Sequence, residues 1–270
     1  MAELLYLYGI ATAGKNNESF SDLIGIDGEH PLFTIGFEDC MAVVCRLDES
    51  DYGEEILEKK TKQLEWIQEK AFHHHETLLK LRERTNIVPM KLFTIYQSEN
   101  RLSDVVQAHR EEWNELLTEI AGKEEWNLKI YCDPDRLRGN IEKNHPDVLK
   151  KREDIAGMSQ GMQYLQKKKL DGWIDQVVEE EQLTFSKQMH DTWNGWADRF
   201  MEKKIWKKDV TGKTEEMSWN GAYLISSENV ETFLELVTEA NDRHRESGWK
   251  IEVTGPWPAY HFVTLSKSEV

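Results

Sequence analysis

Apolar positions along this chain follow two different periods. Leu4–Ile10 is an almost unbroken apolar run of strand length, and Leu32–Phe37 and Met41–Leu47 repeat it after a polar stretch from Thr12 to His30. Runs of this length, rich in β-branched and aromatic residues and bounded by turn formers, predict three strands, the last two joined at Glu38-Asp39. The spacing then becomes helical: Leu57, Leu64, Ala71 and Leu78 recur every seven residues, with Ile67 and Leu81 between them. That pattern lays one apolar stripe along a long helix, which the strands would cover. Ile87–Tyr96 reads as another strand, its Pro89 suited to an edge or an entry. Leu102, Val105, Val106, His109, Trp113, Leu116, Leu117 and Ile120 form the cleanest helical stripe, stopped by Gly122. A strand over Trp126–Cys132 closes this half before Asp133-Pro134 breaks it.

From Pro134 to about Met201 the chain is highly charged and helical in pattern. Met162, Leu165, Trp173, Ile174, Val177, Phe185, Met189, Trp193, Trp196 and Phe200 recur at helical intervals, too far for one ordinary capped helix, so the pattern predicts a long helix or a hairpin of two. Strands at Ile205–Val210 and Met217–Ile225, a helix over Val230–Arg245 stopped at Gly248, and a strand over Trp249–Thr254 complete the chain. Strands interleaved with helices on one face predict an α+β fold, the first part related to a split βαβ arrangement. The expected division is an N-terminal α+β domain (1–133), a helical segment (134–201), and a C-terminal α+β part (202–270) packed with that segment.

A length of 270 residues favours two domains over a single core. The charge is more informative. With 34 Lys and Arg against 50 Asp and Glu, a formal net charge of −16 repels phosphate backbones and anionic headgroups, so neither nucleic acid nor a membrane surface is an expected partner. A mean hydropathy of −0.67 and no apolar run of spanning length predict no membrane helix. The N-terminus lacks the basic region of a signal peptide, so the expected location is the cytoplasm. Cys40, Cys45 and Cys132, an odd number lying in or beside predicted strands, fit buried thiols better than disulfides.

His73-His74-His75-Glu76 is the sharpest catalytic candidate and supports the rival reading of a cytosolic metal-dependent enzyme. Neighbouring helical residues point about 100° apart, so three consecutive histidines do not easily converge on one ion, and no HExxH spacing is present. His74 falls on the apolar stripe, where a satisfied imidazole is the ordinary expectation. Glu179-Glu180-Glu181 and Glu124-Glu125 read as solvated faces. Thr211-Gly212-Lys213-Thr214 lacks the upstream glycine of a phosphate loop and reads as a hairpin turn between strands. No catalytic residue, cofactor site or metal site is assigned on these grounds. Seven tryptophans remain, Trp173, Trp193, Trp196, Trp206, Trp219, Trp249 and Trp257. Core packing accounts for most of them, and an aromatic contact surface for the rest.

The last strand runs into Gly255-Pro256-Trp257-Pro258, followed by Tyr260 and Phe262. The prolines pin Trp257 in an extended corner, where it is expected to plug the core of the C-terminal domain. This segment, KIEVTGPWPAYHFV at Lys250–Val263, resembles the C-terminal signature of the gas vesicle protein F/L family. Leu4–Ala11 (LLYLYGIA), His73–Tyr96 (HHHETLLKLRERTNIVPMKLFTIY) and Glu124–Asp133 (EEWNLKIYCD) agree with it in order and position, and the wording is most similar to the L-type proteins of bacilli. The resemblance implies two α+β domains with small, mainly antiparallel, ferredoxin-like sheets. It also implies a non-enzymatic, gas-vesicle-associated accessory protein that contacts the small hydrophobic shell protein and other accessory proteins. Chaperone, nucleation factor and minor vesicle constituent all remain open at this point.

Overall fold

The structure, a computed structural model, describes residues 3–13 and 19–263. Part of the predicted Thr12–His30 loop therefore lies outside the described residues. The chain divides into two compact units, one drawn from Met1–Glu124 and Pro256–Val270, the other from Glu125–Gly255.

The first unit contains β1 (Glu3–Thr12), β2 (Leu32–Gly36), β3 (Cys40–Asp48), α1 (Glu49–Tyr52), α2 (Glu54–Lys60), α3 (Leu64–Arg82), β4 (Ile87–Pro89), β5 (Ile95–Tyr96), α4 (Glu99–Ala108) and α5 (Arg110–Ile120). The strands lie in the order β2-β3-β1-β4, with β5 also paired to β1, and the β2–β3, β1–β3, β1–β4 and β1–β5 pairings are antiparallel. Leu4, Tyr6 and Tyr8 on β1 meet Val43, Cys45 and Leu47 on β3 and Leu78 and Leu81 on α3. Leu5 and Leu7, pointing to the opposite face, are buried as well, which is why this strand reads as a continuous apolar run.

A bulge between Leu7 and Gly9 shifts the register of β1 against β3. At Gly9 a Cβ atom would come within 2.5 Å of the Val88 carbonyl oxygen on β4. Gly9→Ala should therefore push β4 off β1 and lower stability by about 1–3 kcal/mol. Gly36→Ala, with no atom within 4 Å of the added carbon, should change it by less than about 0.5 kcal/mol. Paired urea midpoints measure the difference.

Three predicted elements of this half are divided. The 57–81 stripe belongs to two helices, because the chain leaves helical geometry between Thr61 and Gln63. The 102–120 helix is broken at His109, whose φ and ψ of −114° and 22° interrupt it for one residue. So brief a break leaves the buried stripe aligned on both sides. The Ile87–Tyr96 strand is two short pieces around a loop. Pro89 brings no N–H to the ladder, and Phe93 takes a φ of 64°.

The second unit contains β6 (Lys123–Cys132), α6 (Pro134–Asn144), α7 (Pro146–Ala156), α8 (Gln160–Asn194), β7 (Arg199–Glu202), α9 (Lys208–Thr211), β8 (Glu216–Ser226), α10 (Val230–His244) and β9 (Trp249–Trp257). Its sheet order is β7-β8-β6-β9. A first strand, helices, two strands, a helix and a last strand, with the first strand placed between the third and fourth, is the ferredoxin-like arrangement. Alternate β6 residues Trp126, Leu128, Ile130 and Cys132 pack in one core with Ile174, Phe185 and Trp193 of α8 and Phe233 and Val237 of α10. β6 thus belongs to the second sheet and does not close the first half. Sequence order alone assigns a strand at a domain boundary to the elements before it. Asp133-Pro134 starts the next helix, the Asp133 carboxylate accepting from the backbone N–H groups of Asp135 and Arg136.

The long helical pattern resolves as the single helix α8 of 35 residues, about 52 Å long. Phe200 is not on it; it lies on β7, against Trp219 and Tyr223. The strand predicted at Ile205–Val210 is absent, and Lys208–Thr211 forms a short helix instead. As an edge strand, β7 needs little more than Phe200 facing inward, so it leaves almost no apolar signal.

Candidate functional site

The histidine run lies on α3, and its imidazoles diverge. His74 is buried: its Nε2 lies 3.1 Å from the Met90 carbonyl oxygen, and its Nδ1 lies 2.7 Å from the Tyr6 hydroxyl. Since a carbonyl only accepts, Nε2 carries the proton and Nδ1 accepts from Tyr6. The Phe93 N–H in turn donates to the Tyr6 oxygen, so the network ties α3 to the loop between β4 and β5. The imidazole also stacks on Tyr8. Burial depresses its pKa from 6.5 to about 4, keeping it neutral. His73 instead reaches the Ile24 carbonyl with its Nε2 at 3.2 Å, and His75 packs 4.7 Å from the Trp257 ring. Among the described residues, no group of three or more His, Cys, Asp or Glu side chains is gathered as a metal would need.

The other sequence candidates also take structural positions. Cys40, Cys45 and Cys132 are free and buried, and burial pushes the Cys45 thiol up to about 12 and the Cys132 thiol to about 11. All three should resist an aromatic disulfide reagent in the native protein and react in urea. Early labelling of Cys45 or Cys132 without denaturant would contradict their burial. Glu179, Glu180 and Glu181 are exposed, as expected, but the Glu124-Glu125 pair is not a solvated face. Glu124 pairs with Arg82 at 3.2 Å, and Glu125 is buried with the charge of Lys203 nearby. In Thr211-Gly212-Lys213-Thr214, Thr211 ends the short α9 and the other three residues follow it, so the stretch does not turn a hairpin between two strands. Gly212 has a φ of 66°, and Lys213 donates to the Glu252 carboxylate at 2.6 Å.

The tryptophans separate by environment. Trp193 and Trp249 are core residues of the second unit, Trp173 and Trp219 pack against that core, and Trp196 and Trp206 are exposed. Trp257 is half-buried and belongs to the first unit, so it does not plug the C-terminal core. The predicted corner does exist: Gly255 has a φ of 148°, and a Cβ there would meet the Trp126 ring at 2.8 Å. Beyond the corner, Ala259 and Phe262 are buried and Tyr260 packs against the first unit's core.

Among the described residues of the second unit, exposed apolar side chains occur mainly in two stretches of chain, with Leu149 and Leu183 exposed besides. Trp196, Met201, Ile205, Trp206 and Val210 are exposed on or near the edge strand β7, and Met158, Met162, Tyr164 and Leu165 at the start of α8. Met162 and Leu165 belong to the helical spacing seen in the sequence, and the structure leaves both exposed. The neighbouring Lys167-Lys168-Lys169 was the available sign that this end of the helix faces water.

Gas vesicle protein L of Streptomyces sp. (strain CB03234) is 23% identical over 248 residues, covering 91% of this chain and 88% of its own length. Gas vesicle protein F1 of Halobacterium salinarum is 23% identical over 270 residues, covering 98% and 95%. The crystal structure of the gas vesicle protein GvpF from Anabaena sp. PCC7120 superposes with a TM-score of 0.68 at 19% identity, over 98% of this chain and 100% of that one. That likeness shows the same α+β architecture. The family model of the gas vesicle synthesis protein GvpL/GvpF matches residues 4–264, and the chain belongs to this family.

Proposed function

We propose that this protein is a non-enzymatic accessory factor of gas vesicle assembly, acting in the cytoplasm on the unassembled shell protein and on other accessory proteins. The family match along nearly the whole chain carries this reading. Surface chemistry supports it. A shell subunit destined for a gas-facing wall exposes apolar surface before it polymerises, and a carrier of net charge −16 keeps such a client dispersed by adding charge to the complex. The exposed apolar side chains at the start of α8 and near β7 offer complementary contact. The same acidity argues against repeated packing into an apolar wall, where unpaired carboxylates would be costly to bury. Contact with the client is therefore reversible and strongest before assembly.

Deleting the gene should abolish buoyant vesicles or reduce them sharply, with yield restored by the wild-type copy. Normal yield in a deletion strain that lacks any related accessory gene would refute the assembly role.

A further inference from the structure

We propose that this protein pairs with a second copy of itself through the outer face of α8, the two helices lying antiparallel about a two-fold axis level with Ile174. Ile174 itself points inward, as do Leu170, Val178 and Phe185, and all four are buried. On the opposite side a line of exposed residues runs along the helix: Leu165, Gly172, Gln176 and Leu183. Leu165 and Leu183 are 57% and 73% exposed. They are separated by about five whole turns at 3.6 residues per turn, so they point in one direction. In the antiparallel pair Leu165 of each copy lies opposite Leu183 of the other. Gly172 lies close to the axis, where the absence of a side chain lets the two backbones approach, and no atom of its own chain lies within 4 Å of where a Cβ would be.

Charge fixes the partner, its direction and its register. Lys168 and Lys169 stand on the two flanks of the line, about 40–60° to either side of it, and Glu179 and Glu180 stand on the same two flanks about three turns further on. All four are exposed, and none is held in an ion pair among the described residues. An antiparallel copy centred on Ile174 sets its Glu179 beside Lys168 on one flank and its Glu180 beside Lys169 on the other, and the symmetry repeats both pairs. A parallel copy would set lysine against lysine and glutamate against glutamate. Lys167 and Glu181 lie nearer the packed side of the helix and take no part, while Asp171 and Asp175 are already paired with Arg138 of α6. Two chains of −16 repel one another elsewhere, so the contact is weak and confined to this line. Tyr164, exposed about 100° round the helix from Leu165, stays outside it. The inference goes beyond the assembly role and stands whether or not the shell protein is the client.

Sedimentation equilibrium of the full chain at physiological salt, carried to high micromolar concentration, should show monomer in exchange with dimer. Lys168→Glu combined with Lys169→Glu, or Glu179→Lys combined with Glu180→Lys, sets like charges against each other and should weaken the dimer about tenfold, in protein whose circular dichroism is unchanged. Mixing the two variants should restore it, because every pair across the mixed dimer is again opposite in sign and its total charge equals that of two wild-type chains. Leu165→Cys mixed with Leu183→Cys should cross-link under mild oxidation more readily than either variant alone. Monomer at every concentration, a dimer that survives both charge reversals, or a mixture no tighter than its components would overturn the proposal. Preferential cross-linking of Leu165→Cys to itself would mark a parallel pair and overturn it as well.

Discussion

Lowering the pH from 7.5 to about 4.5 is expected to cost the first unit about 3 kcal/mol, most of it through His74. Its imidazole is held neutral between Tyr6 and the Met90 carbonyl, with burial depressing its pKa to about 4 from 6.5. Above pH 6.5 both folded and unfolded chains carry a neutral ring, and the stabilisation is fully present. Between 6.5 and 4 the unfolded chain takes up a proton that the native state refuses, so stability falls as the pH falls. His75, also lowered by burial, adds a smaller loss in the same direction. Replacing His74 by Gln should lower stability at both pH values, since the Tyr6 and Met90 contacts are disturbed, yet flatten most of the dependence on pH. Urea unfolding of both proteins at the two pH values gives the comparison. Parallel losses in wild type and variant would show that the ring is not buried neutral.

The other large effect lies in the second unit. Trp193, 1% exposed at the C-terminal end of α8, meets the Tyr223 ring edge to face, with centroids 6.4 Å apart, inside the core formed by α8, α10 and the sheet. Trp193→Ala should cost about 3–5 kcal/mol, because the surrounding β8 and α10 side chains collapse only partly into the space. Trp206, exposed with the Lys204 ammonium 4.9 Å from its ring centre, should cost no more than about 1 kcal/mol when replaced by Ala. Unfolding midpoints that moved equally for the two variants would invalidate the division of the tryptophans into core and surface.

Elements whose signal is local were legible from residue order. Leu4–Ile10 and Met41–Leu47 name their strands because both faces are buried, and Val230–Arg245 shows a clean stripe because α10 buries one face on a sheet. Breaks were not legible. One non-helical residue at His109 and three at Thr61–Gln63 leave a stripe intact, so the period continues across a division in the backbone. Sheet membership was illegible for a different reason: β6 is followed by helices and returns to its partners β8 and β9 only after a long stretch of chain, and nothing in its own residues states that pairing. Edge strand β7 was missed because a strand with one inward side chain carries little pattern. The His74 environment was half visible. Its place on the apolar stripe predicted a satisfied ring, but Tyr6 lies 68 residues away and enters only through the fold. The helical spacing rightly put Met162 and Leu165 on a long helix, but it did not tell that they are exposed, because a long helix keeps its period after it leaves the core it packs on.

The assembly role is tested most directly by following this protein and the shell protein through vesicle formation in quantitative pull-downs and washed vesicle preparations. Affinity capture from cells making new vesicles should recover unassembled shell protein with this chain, and detergent-washed mature vesicles should retain it only in trace amount. Failure to capture unassembled shell protein, or recovery in washed vesicles at a constant ratio to the shell, would contradict a reversible assembly factor.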